Sequence, residues 1–368
     1  MKTKALFVLL VLNLFSAYCQ VKVGNRETVL DSIIYLSDTI YDTIPSLPRL
    51  CDELLIPKFT IPINGCDFYV EVEGQGQGIP MVLINGGPGG THHYFHPWFS
   101  AFNKTHKIIY YDQRGTGQSG FVPGEKGYSF FQAKEDLEGL REALGITKWI
   151  VCGYSYGGLL AQYYAASYPE NVLGMVLISA LPSFKDDRFK SEQQKYISQV
   201  EKDRFKEITA KAIEAKKKGE LNFSAFLFNM ALNGDWKRQN FHKPTEEQMI
   251  RSALYEWVND RNFNSIMSKS AKQYEFKGLF KNCPLPILLM EGKYDLTWGS
   301  EKAEVFRQEF PNAKYAFFKN SGHGIFKDEP ILFAEVVSQF SKTLSPINSE
   351  SVQSWKQQAK PFLEAKNK

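Results

Sequence analysis

The chain has 368 residues, 43% hydrophobic and 23% charged, with a formal net charge of +4. That length accommodates one large core plus an inserted or appended subdomain, and the composition is ordinary for a globular protein. The small charge, with no basic patch interleaved with aromatic residues, argues against a nucleic-acid partner.

Lys2 and Lys4 precede an almost wholly apolar run, followed by Ser16, Ala17 and Cys19. This is the layout of a secretory signal over residues 1–19, and its apolar run is too short to span a bilayer. The expectation is export to the periplasm or the medium. A lipid anchor on Cys19 is the rival, disfavoured by the bulky Tyr18 before it. No later stretch reads as transmembrane. The five cysteines form no dense scaffold. An oxidising compartment would permit Cys51–Cys66, the pair closest in sequence, but spacing alone does not establish geometry.

A lead-in over 20–58 carries no recognisable chemistry. Residues 59–63 and 66–72 read as strands joined by Asn64-Gly65, a strong hairpin signal because both turn positions need positive φ. Apolar runs at 81–84 and 107–111 follow, the first ending in Asn85-Gly86-Gly87-Pro88-Gly89-Gly90 and the second in Asp112. Residues 131–144 have helical periodicity closed by Gly145. Then come a buried strand at 149–152, a helix at 159–167 and a strand at 175–179. From 183 to 280 the pattern turns charged, aromatic and helical. Strand rhythm resumes at 286–290 and 315–318, with a helix over 330–340. Short apolar runs alternating with helices predict a mostly parallel sheet covered on both faces. The expected architecture is one α/β core (59–182 and 281–345) interrupted by a helical cap (183–280) and followed by a polar helix or tail (346–368).

The chemistry concentrates at strand ends. Gly153-Tyr154-Ser155-Tyr156-Gly157-Gly158 follows a strand and opens a helix, the context in which a strained turn presents a serine to substrate. Asp295 lies just past the strand at 286–290, and His323 just past 315–318. The order serine, acid, histidine and the shared sheet edge predict a nucleophile (Ser155), a base (His323) and an orienting acid (Asp295). An oxyanion needs two backbone amides; Tyr156 and Gly87 are the candidates, glycine allowing close approach. His92, His93 and His96 share one loop, but close spacing is not a coordination geometry and no cysteine or acidic ligand stands near them in sequence. Neither a metal nor a cofactor is expected. Asp112-Gln113-Arg114-Gly115 reads as a structural brace.

With these blocks in hand, residues 85–90, 112–119 and 153–158 resemble the three signature segments of the proline iminopeptidases. The resemblance runs from about 59 to 340, strong in the sheet domain and weak in the cap. It implies an α/β-hydrolase fold with a helical cap and the same three residues as a catalytic triad. The chain departs from the family at Asn85, where histidine is usual, and at Tyr154 and Tyr156, where glycine and tryptophan are common. An aminopeptidase must bind a cationic amino terminus, so acidic cap residues should face the serine. Glu275 resembles a family cap motif in which glutamate precedes phenylalanine, and Glu256 is the second candidate; both are equally readable as solvated helix acids. The leading expectation is an exported aminopeptidase that releases N-terminal residues, proline among them, from short peptides through an acyl-enzyme on Ser155. The alternative is an esterase or lactonase with the same triad acting on small uncharged esters. A silent binding protein is disfavoured by the intact triad, and dehalogenase or epoxide chemistry by the serine at 155.

Overall fold

The computed structural model describes residues 40, 42–74, 78–122, 127–183, 199–232, 245–260, 262–295 and 302–365. The expected signal and most of the lead-in lie outside them. A short helix α1 (Leu50–Glu53) precedes an antiparallel hairpin, β1 (Lys58–Ile63) and β2 (Cys66–Glu73). Its turn is Asn64-Gly65, with φ of 50° and 74°, and Ile63 pairs with Cys66 across it.

Six further strands complete the sheet: β3 (Ile79–Ile84), β4 (His106–Tyr111), β5 (Trp149–Tyr154), β6 (Val172–Ile178), β7 (Ile287–Gly292) and β8 (Lys314–Phe318). The order is β1-β2-β4-β3-β5-β6-β7-β8. β3 to β8 are mutually parallel, and β1 and β2 run against their neighbours. Every position of β5 and β7 is buried, which is why 149–152 and 287–290 read as unbroken apolar runs. Alternation divides the strand side chains between two cores. Val82, Ile84 and Val151 pack with helices α2 (Phe130–Ala143) and α3 (Tyr156–Ser167) on one face. Met81, Leu83, Ile150 and Cys152 pack on the other with Phe95, Phe99, Phe102, Phe333 and Phe340.

Between β6 and β7 the described residues form α4 (Gln199–Lys217), α5 (Phe223–Leu232), α6 (Glu246–Arg251), a π turn at Ser252–Glu256 and α7 (Phe263–Ala271). α8 (Lys302–Glu309), α9 (Ile325–Asp328), α10 (Pro330–Lys342) and α11 (Ser349–Ala359) follow. The polar C-terminal stretch is a packed helix. Val352, Trp355 and Ala359 of α11 are buried, and the Trp355 indole N–H donates to the Leu279 carbonyl (3.1 Å). Among the described residues no helix is long and apolar enough to cross a membrane. Cys51, Cys66, Cys152 and Cys283 are buried free thiols, so Cys51 and Cys66 are not bonded to each other.

Candidate active site

Parallel strands deliver their C-terminal ends to one edge, and the site is assembled there. Ser155 stands between β5 and α3 with φ 54° and ψ −119°, a conformation that an L-residue adopts only when its surroundings enforce it. Its N–H donates to the Ile178 carbonyl (2.8 Å) and its carbonyl accepts from Gly158 N–H (2.9 Å). The turn closes because its neighbours lack Cβ atoms. A Cβ on Gly157 would lie 2.1 Å from the Ile84 carbonyl oxygen, and one on Gly153 2.3 Å from that of Gly157.

Further along the sheet edge, the loops after β7 and β8 are laced together. Lys293 N–H donates to the Phe318 carbonyl (2.8 Å) and Tyr294 N–H to that of Ser321 (2.8 Å). Ser321 Oγ donates to Glu329 (2.6 Å) and Gly322 N–H to Asp328 (2.8 Å). This lacing brings His323 Nδ1 to 2.9 Å from Asp295 Oδ2, with both residues buried. The His323 ring then rests against Tyr154, the residue before Ser155, with ring centroids 5.1 Å apart. Such a bond to Nδ1 fixes the tautomer that leaves Nε2 to accept a proton.

No local pattern in the sequence marks Lys302 as part of this site. Its buried ammonium lies 2.7 Å from Glu291 Oε2 and 3.3 Å from the same Asp295 oxygen that meets His323. Burial pushes the Glu291 carboxyl up to about 8, opposed by Lys302 and aided by the Asp295 charge. A cation shared by two acids gives Asp295 a second partner besides the imidazole.

The glycine loop after β3 borders the serine. A Cβ on Gly86 would lie 3.1 Å from Ser155 Cβ, and one on Gly87 3.1 Å from the Trp257 ring. Tyr156 opens α3 with its side chain buried and edge-on to Phe130 (5.9 Å). Asn85, at the usual histidine position, is buried and donates to the Tyr111 carbonyl (3.0 Å), joining the ends of β3 and β4. Asp112 accepts from His92 N–H (2.8 Å) and Gln118 N–H (2.8 Å), linking its own loop to the glycine loop. Arg114 pairs with Asp136 through two bonds (2.7 and 2.8 Å).

The π turn and the segment after it clamp these loops. Thr91 N–H donates to the Glu256 carbonyl (3.1 Å), Asn259 Nδ2 to Gly89 (3.1 Å), and Asn264 Nδ2 to Pro88 (2.6 Å). Glu256 itself is buried and ion-paired with Lys327, whose ammonium lies 4.7 Å over the Tyr94 ring. Glu275 is half-buried and accepts from Ser183 Oγ (2.6 Å) and from Lys277 N–H (3.1 Å). Neither acid is a freely solvated helix residue. One sequence expectation is overturned: Cys51 and Glu71, remote in the chain, stand directly against His92, His93 and His96. Long-range packing of α1 and β2 onto the loop supplies the acid and the thiol that local spacing omitted.

The α/β hydrolase fold family matches residues 79–330. The chain belongs to that family. Proline iminopeptidase of Saccharolobus solfataricus is 26% identical over 292 residues, 78% of this chain and 92% of the relative. That of Clostridioides difficile is 29% identical over 294 residues, 76% of this chain and 96% of the relative. Among solved structures, a proline iminopeptidase-related protein from Thermus thermophilus superposes with a TM-score of 0.60 at 18% identity, covering 78% of this chain and 98% of that one. An enol-lactonase from Burkholderia xenovorans gives 0.57 at 19%, covering 77% and 99%. These structures share the fold. As an α/β hydrolase, the chain is a hydrolytic enzyme, and its similarity to the proline iminopeptidases extends over about three quarters of its length.

Proposed function

We propose that this hydrolase is a serine aminopeptidase of the proline iminopeptidase type, acting on short peptides. The observation that carries the reading is the buried Asp295–His323 bond at the sheet edge where Ser155 is held at positive φ. In the proposed reaction Ser155 Oγ attacks the scissile carbonyl while His323 Nε2 takes its proton. Asp295 holds Nδ1–H and stabilises the imidazolium. The amides of Gly87 and Tyr156 receive the developing oxyanion. His323 then protonates the leaving amine, and a water activated by the same imidazole releases the acyl group from Ser155. Glu275 is the proposed anchor for the substrate's ammonium, with Glu256 second.

One observation favours the alternative, an esterase or lactonase. Lys327 already neutralises Glu256, and an ion-paired carboxylate attracts an ammonium weakly. A side-by-side assay decides. Pro-arylamide turnover that vanishes when the amine is acetylated supports the peptidase. Turnover of short-chain aryl esters with no arylamide cleavage overturns it. Export is proposed from residues 1–19, and amino-terminal sequencing of the mature protein tests it: an intact Met1 contradicts cleavage.

A further inference from the structure

Behind the glycine loop lies a buried cluster that the proposed hydrolysis does not use. Cys51 comes from α1, Glu71 from β2, and His92, His93 and His96 from the turn after Thr91. Ligand-capable atoms of Cys51, His92 and His93 all lie within 4.8 Å of one another, and those of Glu71, His92 and His96 form a second such trio sharing His92. All five residues are buried.

The distances are those of a soft metal site. Cys51 Sγ stands 3.8 Å from His93 Nε2. Ligands at about 2.3 Å (S) and 2.0–2.1 Å (N) on a tetrahedral zinc are separated by about 3.6 Å. His92 Nε2 lies 3.3 Å from Glu71 Oε1, again close to the spacing of two ligands on one such ion.

His92 supplies an independent sign. Its Nδ1 faces Asp112 Oδ1 at 2.9 Å and, as the N–H donor there, leaves a lone pair on Nε2. That Nε2 is buried and makes no hydrogen bond, yet it looks onto a carboxylate oxygen. On a neutral ring the two lone pairs would face each other out of reach of water, and a cation between them removes that repulsion. A second proton on the ring would do the same, and a metal ion binds there by displacing it.

We propose that Cys51, His92 and His93 bind a divalent cation of the zinc class, with Glu71 next to it through His92. The surrounding groups are those that orient metal ligands. Asp112 holds His92, and Thr91 Oγ1 meets His93 Nδ1 at 3.3 Å. His96 Nε2 and the Tyr69 hydroxyl hold Glu71 at 2.7 and 2.6 Å. A cavity lined by Leu50, His93, His96, Arg251 and Tyr255 reaches the cluster and offers an entry path. Binding releases the Cys51 thiol proton, since thiolate is the ligand. The ion ties α1 to the turn that follows the glycine loop, so its role is to stiffen that loop from behind.

The test uses the mature full chain, stripped with a chelator and titrated with cobalt(II) and zinc(II). One cobalt per chain with a thiolate-to-cobalt charge-transfer band in the near ultraviolet is expected, together with a rise in Tm on adding zinc. Cys51→Ser should abolish the band, and His93→Gln should weaken cobalt binding at least about tenfold. Should Cys51→Ser fail to fold by circular dichroism, the His93→Gln titration decides alone. The proposal is overturned by a folded wild-type protein that shows no thiolate band, by a band that survives Cys51→Ser, or by unchanged cobalt affinity in His93→Gln.

Discussion

Glu291→Gln tests the charge arrangement beside Asp295 through the pH dependence of stability. The carboxyl stands at about 8 in the folded protein against an ordinary 4.5. The folded state therefore holds its proton more tightly than the unfolded chain, and folding takes up a proton between these values. Stability from this group is fully present below about pH 4.5, falls through the window, and is lost above about pH 8. The separation, about 8 less 4.5, corresponds to about 5 kcal/mol at roughly 1.4 kcal/mol per unit. Of this, about 3 kcal/mol falls between about pH 6 and pH 9. At about 1.3 °C per kcal/mol for a chain of 368 residues, the wild-type Tm should drop by about 4 °C across that interval from this residue alone. Glutamine keeps the shape without titrating, so the variant's Tm should lack that drop. Thermal melts at matched ionic strength read the difference. Parallel wild-type and variant profiles would refute the placement of a proton-holding acid beside Lys302.

Gly157→Ala places a Cβ 2.1 Å from the Ile84 carbonyl, so β3 or the serine turn must move. A displacement near 1 Å at Ser155 should cost about 10²-fold in kcat; an unchanged kcat would contradict the close approach. Trp355→Ala should lower unfolding free energy by about 3–5 kcal/mol in denaturant titrations, because α11 is packed rather than trailing. A change under about 1 kcal/mol would make it a solvated tail. Glu275→Gln should raise KM for free-amine substrates about 10–100-fold, the worth of one charge-assisted bond, with kcat little changed. Unaffected KM would remove Glu275 as the anchor.

Much of the sheet was legible because its strands are buried on both faces and its hairpin has one turn chemistry. Asn64-Gly65 and the runs ending at Ile84 and Tyr111 show this directly. β5 extends two residues past its apolar run, since Gly153 and Tyr154 remain paired although the hydrophobic pattern has ended. The carboxylate and imidazole were readable from strand ends, because parallel strands bring their following loops to one edge. Helix α11 was harder to read: three buried residues among Ser, Gln and Lys leave a polar average. Lys302, the pairing of Glu256 with Lys327, and the approach of Cys51 and Glu71 to the histidines depend on how separate segments pack. No local spacing encodes such contacts. They arise only when loops from different strands come together.

The most direct test of the account is covalent labelling with a fluorophosphonate, read by intact mass and peptide mapping. One adduct per chain should map to Ser155. It should be absent in Ser155→Ala, whose kcat should fall about 10⁶-fold, and should form far more slowly in His323→Gln. An adduct on another serine, or an active wild-type enzyme that takes no label, would contradict the account.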